Sequence, residues 1–292
     1  MKVIKQLFFL TLFLFITSCA QFGVVPESPV KSVDGNDIDF EIQGQGSPTL
    51  VFVHGWSCDK TYWSKQVLFF SKKFKTVTID LPGHGKSGVN RTDWTMAKFG
   101  EDVATVVNKL NLKKVILIGH SMGGPIIVEA AQRTPKRIIG IVGVDSGALQ
   151  DPIRDPSQKS VDGMIDNLRM NFPMTMQVIV KKYIFLPTSD QKLVQKVATD
   201  MAAQTPEIAI GVMKGLREWQ MGDDLASIKR VKAPILFINA QRTMPNVELY
   251  KKIAKFRYRL MPNVGHFVML EDPKTFNQIL LQEIDEFVKI AK

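Results

Sequence analysis

The sequence predicts an α/β fold: a mostly parallel sheet with helices on both faces and a helical segment inserted between two of its strands. Two observations carry this. Continuous Val/Ile/Leu runs alternate with helical stretches along most of the chain, and uninterrupted apolar runs mark strands covered on both faces, the environment of a parallel sheet. One long interval, 147–232, loses the strand signal and keeps helical spacing.

Taken in order, "VKSVDGNDIDFEI" alternates in polarity on either side of Asp34-Gly35 and predicts a hairpin. "TLVFVHG" (49–55) reads as a buried strand, 59–74 as a helix, "TVTIDLPG" (76–83) as the next strand, and 95–112 as an amphipathic helix. "KVILIGHS" (114–121) drives straight into the helix "MGGPIIVEAAQRT". The stretches 138–146, 233–239 and 255–261 continue the sheet, and 273–292 closes the chain as an amphipathic helix. The core is therefore expected over 30–146 and 233–292, with 147–232 as a helical lid. A chain of 292 residues is long enough to bury such a core.

The N-terminus is a separate object. Lys2 and Lys5 precede the ten-residue apolar run Leu7 to Ile16. That run is too short to span a hydrocarbon core and has the form of a secretory signal. It ends in Ile16-Thr17-Ser18-Cys19, similar to a bacterial lipobox, in which the cysteine is lipidated and becomes the new N-terminus. The expectation is a signal peptide over 1–18, a lipid on Cys19, a tether over 19–29, and a protein anchored in the bacterial cell envelope on the periplasmic side. Ala20 rather than Asp after the cysteine points to the outer membrane in enteric-type bacteria. Simple secretion after cleavage near Ala20 is the alternative. With Cys19 lipidated, Cys58 has no partner for a disulfide.

The formal charge of +10 falls to +8 when Lys2 and Lys5 leave (10 − 2). Part of the excess lies in "YKKIAKFRYR" (250–259), a solvated face or, less simply, a patch for an anionic membrane. No nucleic-acid motif accompanies the charge, so no nucleic-acid partner is expected.

The chemistry is concentrated at "GHSMG" (119–123), a Gly-x-Ser-x-Gly pattern set between a strand and a helix. Flanking glycines permit a tight turn that projects Ser121 at a helix N-terminus, where the Met122 backbone N–H can face a developing oxyanion. Three further stretches accompany it: "FVHGW" (52–56), "DLPGHGKS" (80–87) and "NVGHFVMLEDP" (263–273). In this order the four resemble the α/β-hydrolase fold over roughly residues 30–292, closest to its lidded esterase and cofactor-free haloperoxidase-like branch. The resemblance implies Ser121 as nucleophile, His266 as general base, and the backbone N–H groups of Trp56 and Met122 as the oxyanion hole, with no cofactor.

The four histidines, His54, His84, His120 and His266, each fall in one of these motifs. His120 is held by the turn beside the nucleophile, and His54 and His84 are expected to brace loops. None has metal-ligand spacing, so no metal is expected. Asp80 is expected to satisfy turn amides, and Gly85-Lys86-Ser87 lacks the spacing of a P-loop. Cys58 reads as a packed thiol.

A Ser-His pair needs a carboxylate to orient the imidazole. In most of the fold that acid follows the strand here written "PILFIN", yet Asn239 to Val247 contains no Asp or Glu, and Thr243 takes the acid's position. Glu248 is expected in the next helix, pointing away. The resemblance offers one other placement, a strand earlier, where "IIGIVGVDS" ends at Asp145, the preferred candidate. A lid acid, Asp223 or Asp224, or no direct acid at all, stays open.

The expected function is hydrolysis of a small-molecule carboxylic ester, lactone or thioester. The Met- and Phe-rich lid suggests an apolar group on the substrate. Perhydrolase or haloperoxidase side activity on the same residues is one alternative. A binding protein that kept the fold and lost catalysis is the other.

Overall fold

The computed structural model describes residues 28–146, 158–222 and 224–291. The expected signal segment, Cys19, most of the expected tether, the start of the lid and Asp223 lie outside the described residues.

A short antiparallel ribbon, β1 (Val30–Lys31) with β2 (Asp37–Ile38), forms the hairpin around Gly35, whose φ of 83° suits glycine in the turn. There follow β3 (Phe40–Gln43), β4 (Thr49–Val53), α1 (Ser64–Phe70), β5 (Lys75–Ile79), α2 (Met96–Lys109), β6 (Val115–His120), α3 (Gly123–Arg133) and β7 (Ile138–Val144). The lid segment holds α4 (Gln158–Met170), α5 (Phe172–Ile179), a π-turn Val180–Ile184, α6 (Gln191–Ala202), α7 (Pro206–Gly222) and α8 (Asp224–Arg230). The chain returns to the core with β8 (Ile235–Ala240), α9 (Val247–Ile253), β9 (Phe256–Met261), α10 (Val268–Glu271) and α11 (Pro273–Ile290).

Seven strands form one sheet in the order β3-β5-β4-β6-β7-β8-β9. All neighbours are parallel except β3, which pairs antiparallel with β5 at the edge. The central strands β4, β6 and β8 are buried at every residue, which explains their unbroken apolar runs. The helix expected over 59–74 begins as a 3-10 turn, Lys60–Trp63, capped by the Asp59 carboxylate, before α1 continues it.

Register sets the site. His120 of β6 lies opposite Val144 of β7, Val144 opposite Ile238 of β8, and Ala240 opposite Met261 of β9. The residues that follow these strands therefore emerge along one edge, at the carboxyl ends where α/β sheets place their ligands.

Candidate active site

At the β6–α3 turn, Ser121 has a φ of 52°, left-handed backbone that a non-glycine residue adopts only when its surroundings enforce it. The enforcement is visible. Ser121 N–H donates to Val144 O at 2.9 Å, and Ser121 O accepts from Gly124 N–H and from Ser146 Oγ, both at 2.9 Å. A Cβ on Gly119 would run into the Gly123 carbonyl, and one on Gly123 would sit 2.7 Å from Val53 O. The glycines are thus required by close approach of the turn to itself and to β4. Gly55 of the loop after β4 packs beside this turn, its missing Cβ 3.3 Å from Ser121 Cβ. Among the described residues, no acceptor takes the backbone N–H of Trp56 or Met122.

His266 follows β9, and Asp145 follows β7 with a φ of 41°, a second left-handed position on the same edge. The structure joins these two directly: His266 Nδ1 and Asp145 Oδ2 are 2.6 Å apart, the carboxylate fully buried and the imidazole 23% exposed. An ionised carboxylate accepts the Nδ1–H, which leaves Nε2 as the proton acceptor. The other carboxylate oxygen, Oδ1, accepts the Ala240 N–H at 2.8 Å and the Thr243 hydroxyl. Three donors around a buried carboxylate offset its desolvation.

The histidine's loop is held from several sides. His120 Nε2 contacts His266 O at 3.0 Å, with the two rings 4.7 Å apart. His266 N–H donates to Ile184 O of the lid's π-turn at 2.8 Å. Gly265 N–H donates to Glu271, whose other oxygen accepts from Ser189 of the lid at 2.6 Å. Burial and the neighbouring His266 push His120 well below the ordinary imidazole range, so it is a neutral prop.

On the other side of Ser121, His54 Nε2 accepts the Leu81 N–H at 3.0 Å, so Nδ1 carries the proton and donates to Gly55 O at 2.8 Å. His84 lies 5.0 Å from it, ring to ring. Asp80 accepts the Lys86 N–H at 2.9 Å, as a turn acid does. It also accepts the backbone N–H and the ammonium of buried Lys60, at 2.7 and 2.8 Å. Cys58 is buried with Sγ donating to Trp56 O at 3.3 Å, and burial pushes its thiol up, away from the thiolate a nucleophile needs.

One remaining candidate lies apart. Glu248 sits in α9, exposed, 3.6 Å from Lys251. The side chain of Asp224 and all of Asp223 fall outside what is described. In the basic stretch, Arg257 and Arg259 pair with the buried Glu283 at 3.0 and 2.5 Å, which neutralises part of it. Much of the lid's apolar content packs within the fold: Phe172, Met176, Val180 and Phe185 are buried, and Phe185 stacks on Phe267 at 5.6 Å.

Sequence reasoning missed Thr243 as a hydrogen-bond donor, Ser146 and Asn239 as links between strand tips, and the Trp56 indole, which donates to Ala209 O of α7 at 2.8 Å. Only Ser146 had a local signal, its place directly after Asp145.

A parallel sheet with a serine elbow after β6 and a His-Asp pair on later strand tips defines the hydrolase class of α/β scaffold. The model of the alpha/beta hydrolase family matches residues 50–279, and the chain belongs to that family. Pimeloyl-[acyl-carrier protein] methyl ester esterase of Wigglesworthia glossinidia brevipalpis is 27% identical over 260 residues, covering 85% of this chain and 98% of that protein. Among solved structures, an esterase from Exiguobacterium antarcticum matches with a TM-score of 0.79 at 19% identity, over 88% of this chain and 99% of its own. A bromoperoxidase from Bacillus anthracis matches with a TM-score of 0.78 at 18% identity, over 90% and 100%.

Proposed function

We propose that the protein is a serine hydrolase that cleaves a small-molecule carboxylic ester, lactone or thioester through an acyl-enzyme on Ser121. The observation that carries this reading is the 2.6 Å bond between His266 Nδ1 and buried Asp145 on the same sheet edge as the elbow. His266 Nε2 takes the Ser121 proton as Oγ attacks the carbonyl carbon, and the Trp56 and Met122 N–H groups receive the oxyanion. Collapse of the tetrahedral adduct expels the alcohol, which takes the proton from His266. Water, deprotonated by His266, then attacks the acyl-enzyme, and His266 returns that proton to Ser121 Oγ as the acid leaves. The binding-only alternative rested on a carboxylate-free loop after β8, and Asp145 beside His266 removes that support. Kinship with a methyl ester esterase favours ester substrates. In this proposal the substrate carries an apolar acyl group.

A fluorophosphonate probe applied to cells expressing the full chain tests both reactivity and location. Labelling of the wild type, its loss in Ser121→Ala, and recovery of the labelled band in the membrane fraction are expected. With Cys19→Ala the band moves out of that fraction if Cys19 carries the lipid. An unlabelled wild type overturns the catalytic reading, and an unmoved band overturns the anchor alone.

A further inference from the structure

We propose that Thr243, standing where most of the fold carries its acid, is a positioning residue whose hydroxyl holds the Asp145 carboxylate toward His266. This rests on the reading of Asp145 and His266 as catalytic partners.

The geometry leaves the hydroxyl little choice. Thr243 ends the 3-10 turn Gln241–Thr243, which folds back over the tip of β8. Its Oγ lies within reach of two acceptors, Asp145 Oδ1 and Ala240 O, the latter at 2.9 Å. Its single proton points toward the stronger acceptor, the carboxylate. With the Ala240 N–H it pins Oδ1, so that Oδ2 cannot swing off His266 without abandoning two donors.

The turn itself is tied down. Asn239, fully buried, donates from Nδ2 to Thr243 O and to Ser146 O, each at 2.9 Å, and accepts the Ser146 N–H at 3.3 Å. Ser146 Oγ in turn donates to Ser121 O. A continuous chain of contacts therefore runs from the nucleophile's backbone through Ser146, Asn239 and Thr243 to Asp145 and His266. The hydroxyl at the usual acid position has exchanged roles: a carboxylate there would accept from the histidine, whereas Thr243 donates to the acid one strand away.

The hydroxyl also withdraws charge from the carboxylate that faces His266. Without it the His-Asp pair binds its proton more tightly, and the base stays protonated to higher pH. The test is steady-state hydrolysis of p-nitrophenyl butyrate by full-length wild type, Thr243→Val, Thr243→Ser and Asp145→Asn, each across pH. Thr243→Val, close in shape to threonine, is expected to lose about tenfold in kcat with KM nearly unchanged, the scale of one hydrogen bond to a charged group. Its acidic limb in kcat/KM is expected to move up by as much as about one pH unit. Thr243→Ser restores both. If Thr243→Val does not fold, Thr243→Ala is read the same way. An inactive Asp145→Asn beside a Thr243→Val with wild-type kcat and limb overturns the inference and spares the acid. Loss in Thr243→Val with an unmoved limb, or without rescue by serine, marks a packing role and also overturns it. A fully active Asp145→Asn overturns the acid assignment and the inference together.

Discussion

On the two sides of Ser121 the polar groups are held in different ways. Before it, around the ends of β4 and β5, partners are close in the chain: His54 uses Gly55 and Leu81, Asp80 uses Lys60 and Lys86, and His84 Nδ1 sits 3.2 Å from Pro82 O. After it, Asp145 is held by Ala240, Thr243 and His266, all about a hundred positions away. The first region is a set of self-contained turns that brace the scaffold. The second exists only once β7, β8 and β9 are in register, and it holds the groups proposed to move protons. Substitutions should accordingly cost stability on one side and turnover on the other.

Asp145→Asn is the sharpest test of that division. The amide keeps the shape but can present a donor toward His266, which favours the wrong imidazole tautomer. Turnover of p-nitrophenyl esters is expected to fall by about 10⁴-fold, with the thermal midpoint little changed. Glu248→Gln, on the exposed face of α9, is the matched control and should keep wild-type turnover. A large drop in thermal midpoint for Asp145→Asn would erase the distinction between the two regions.

Asp80→Ala should give the converse. It strips two backbone N–H groups of their acceptor and leaves buried Lys60 with Asp39 and, at 3.6 Å, Glu41 as its remaining partners. Breaking a buried ion pair in this way costs about 3–5 kcal/mol. Denaturant unfolding should show that loss as a lower midpoint, while the fraction still folded turns over at close to the wild-type rate. A folded, stable and inactive Asp80→Ala would instead put Asp80 on the catalytic side.

The same division accounts for what could be read before the structure. The strands, the elbow and the roles of His54 and Asp80 were legible because each rests on local patterning: an unbroken apolar run, a glycine at a close approach, an acid beside its own turn. Asp145 was reachable only through the resemblance, as the fold's other placement for the acid once the usual one stood vacant, because nothing near it in sequence announces a histidine 121 positions later. Thr243 looked like a gap, since a hydroxyl where a carboxylate is expected carries no sign of the acid it faces. The lid was legible as helical but not as a contact surface. The Trp56 indole bond to Ala209 depends on how α7 lands on the core, and no periodicity encodes that.

The smallest expected effect concerns acid stability and belongs to the first region. His84 is buried beside Phe99 and His54, and desolvation lowers its pKa from 6.5 to about 3. His54 is lowered in the same direction, by burial first. An unfolded chain takes up protons at these sites below about pH 6.5 while the folded chain does not. Stability therefore rises with pH across that window and falls as pH drops from about 6.5 toward 3. For His84 alone the loss between neutral pH and pH 4.5 is about 2–3 kcal/mol. His84→Phe, which keeps an aromatic ring against Phe99 and removes the titrating group, should show a shallower decline of unfolding free energy over that range. Asp145 and His266 sit outside this effect, so the pH profile of turnover should stay where it was. An equally steep stability decline in His84→Phe would mean that the acid sensitivity lies elsewhere.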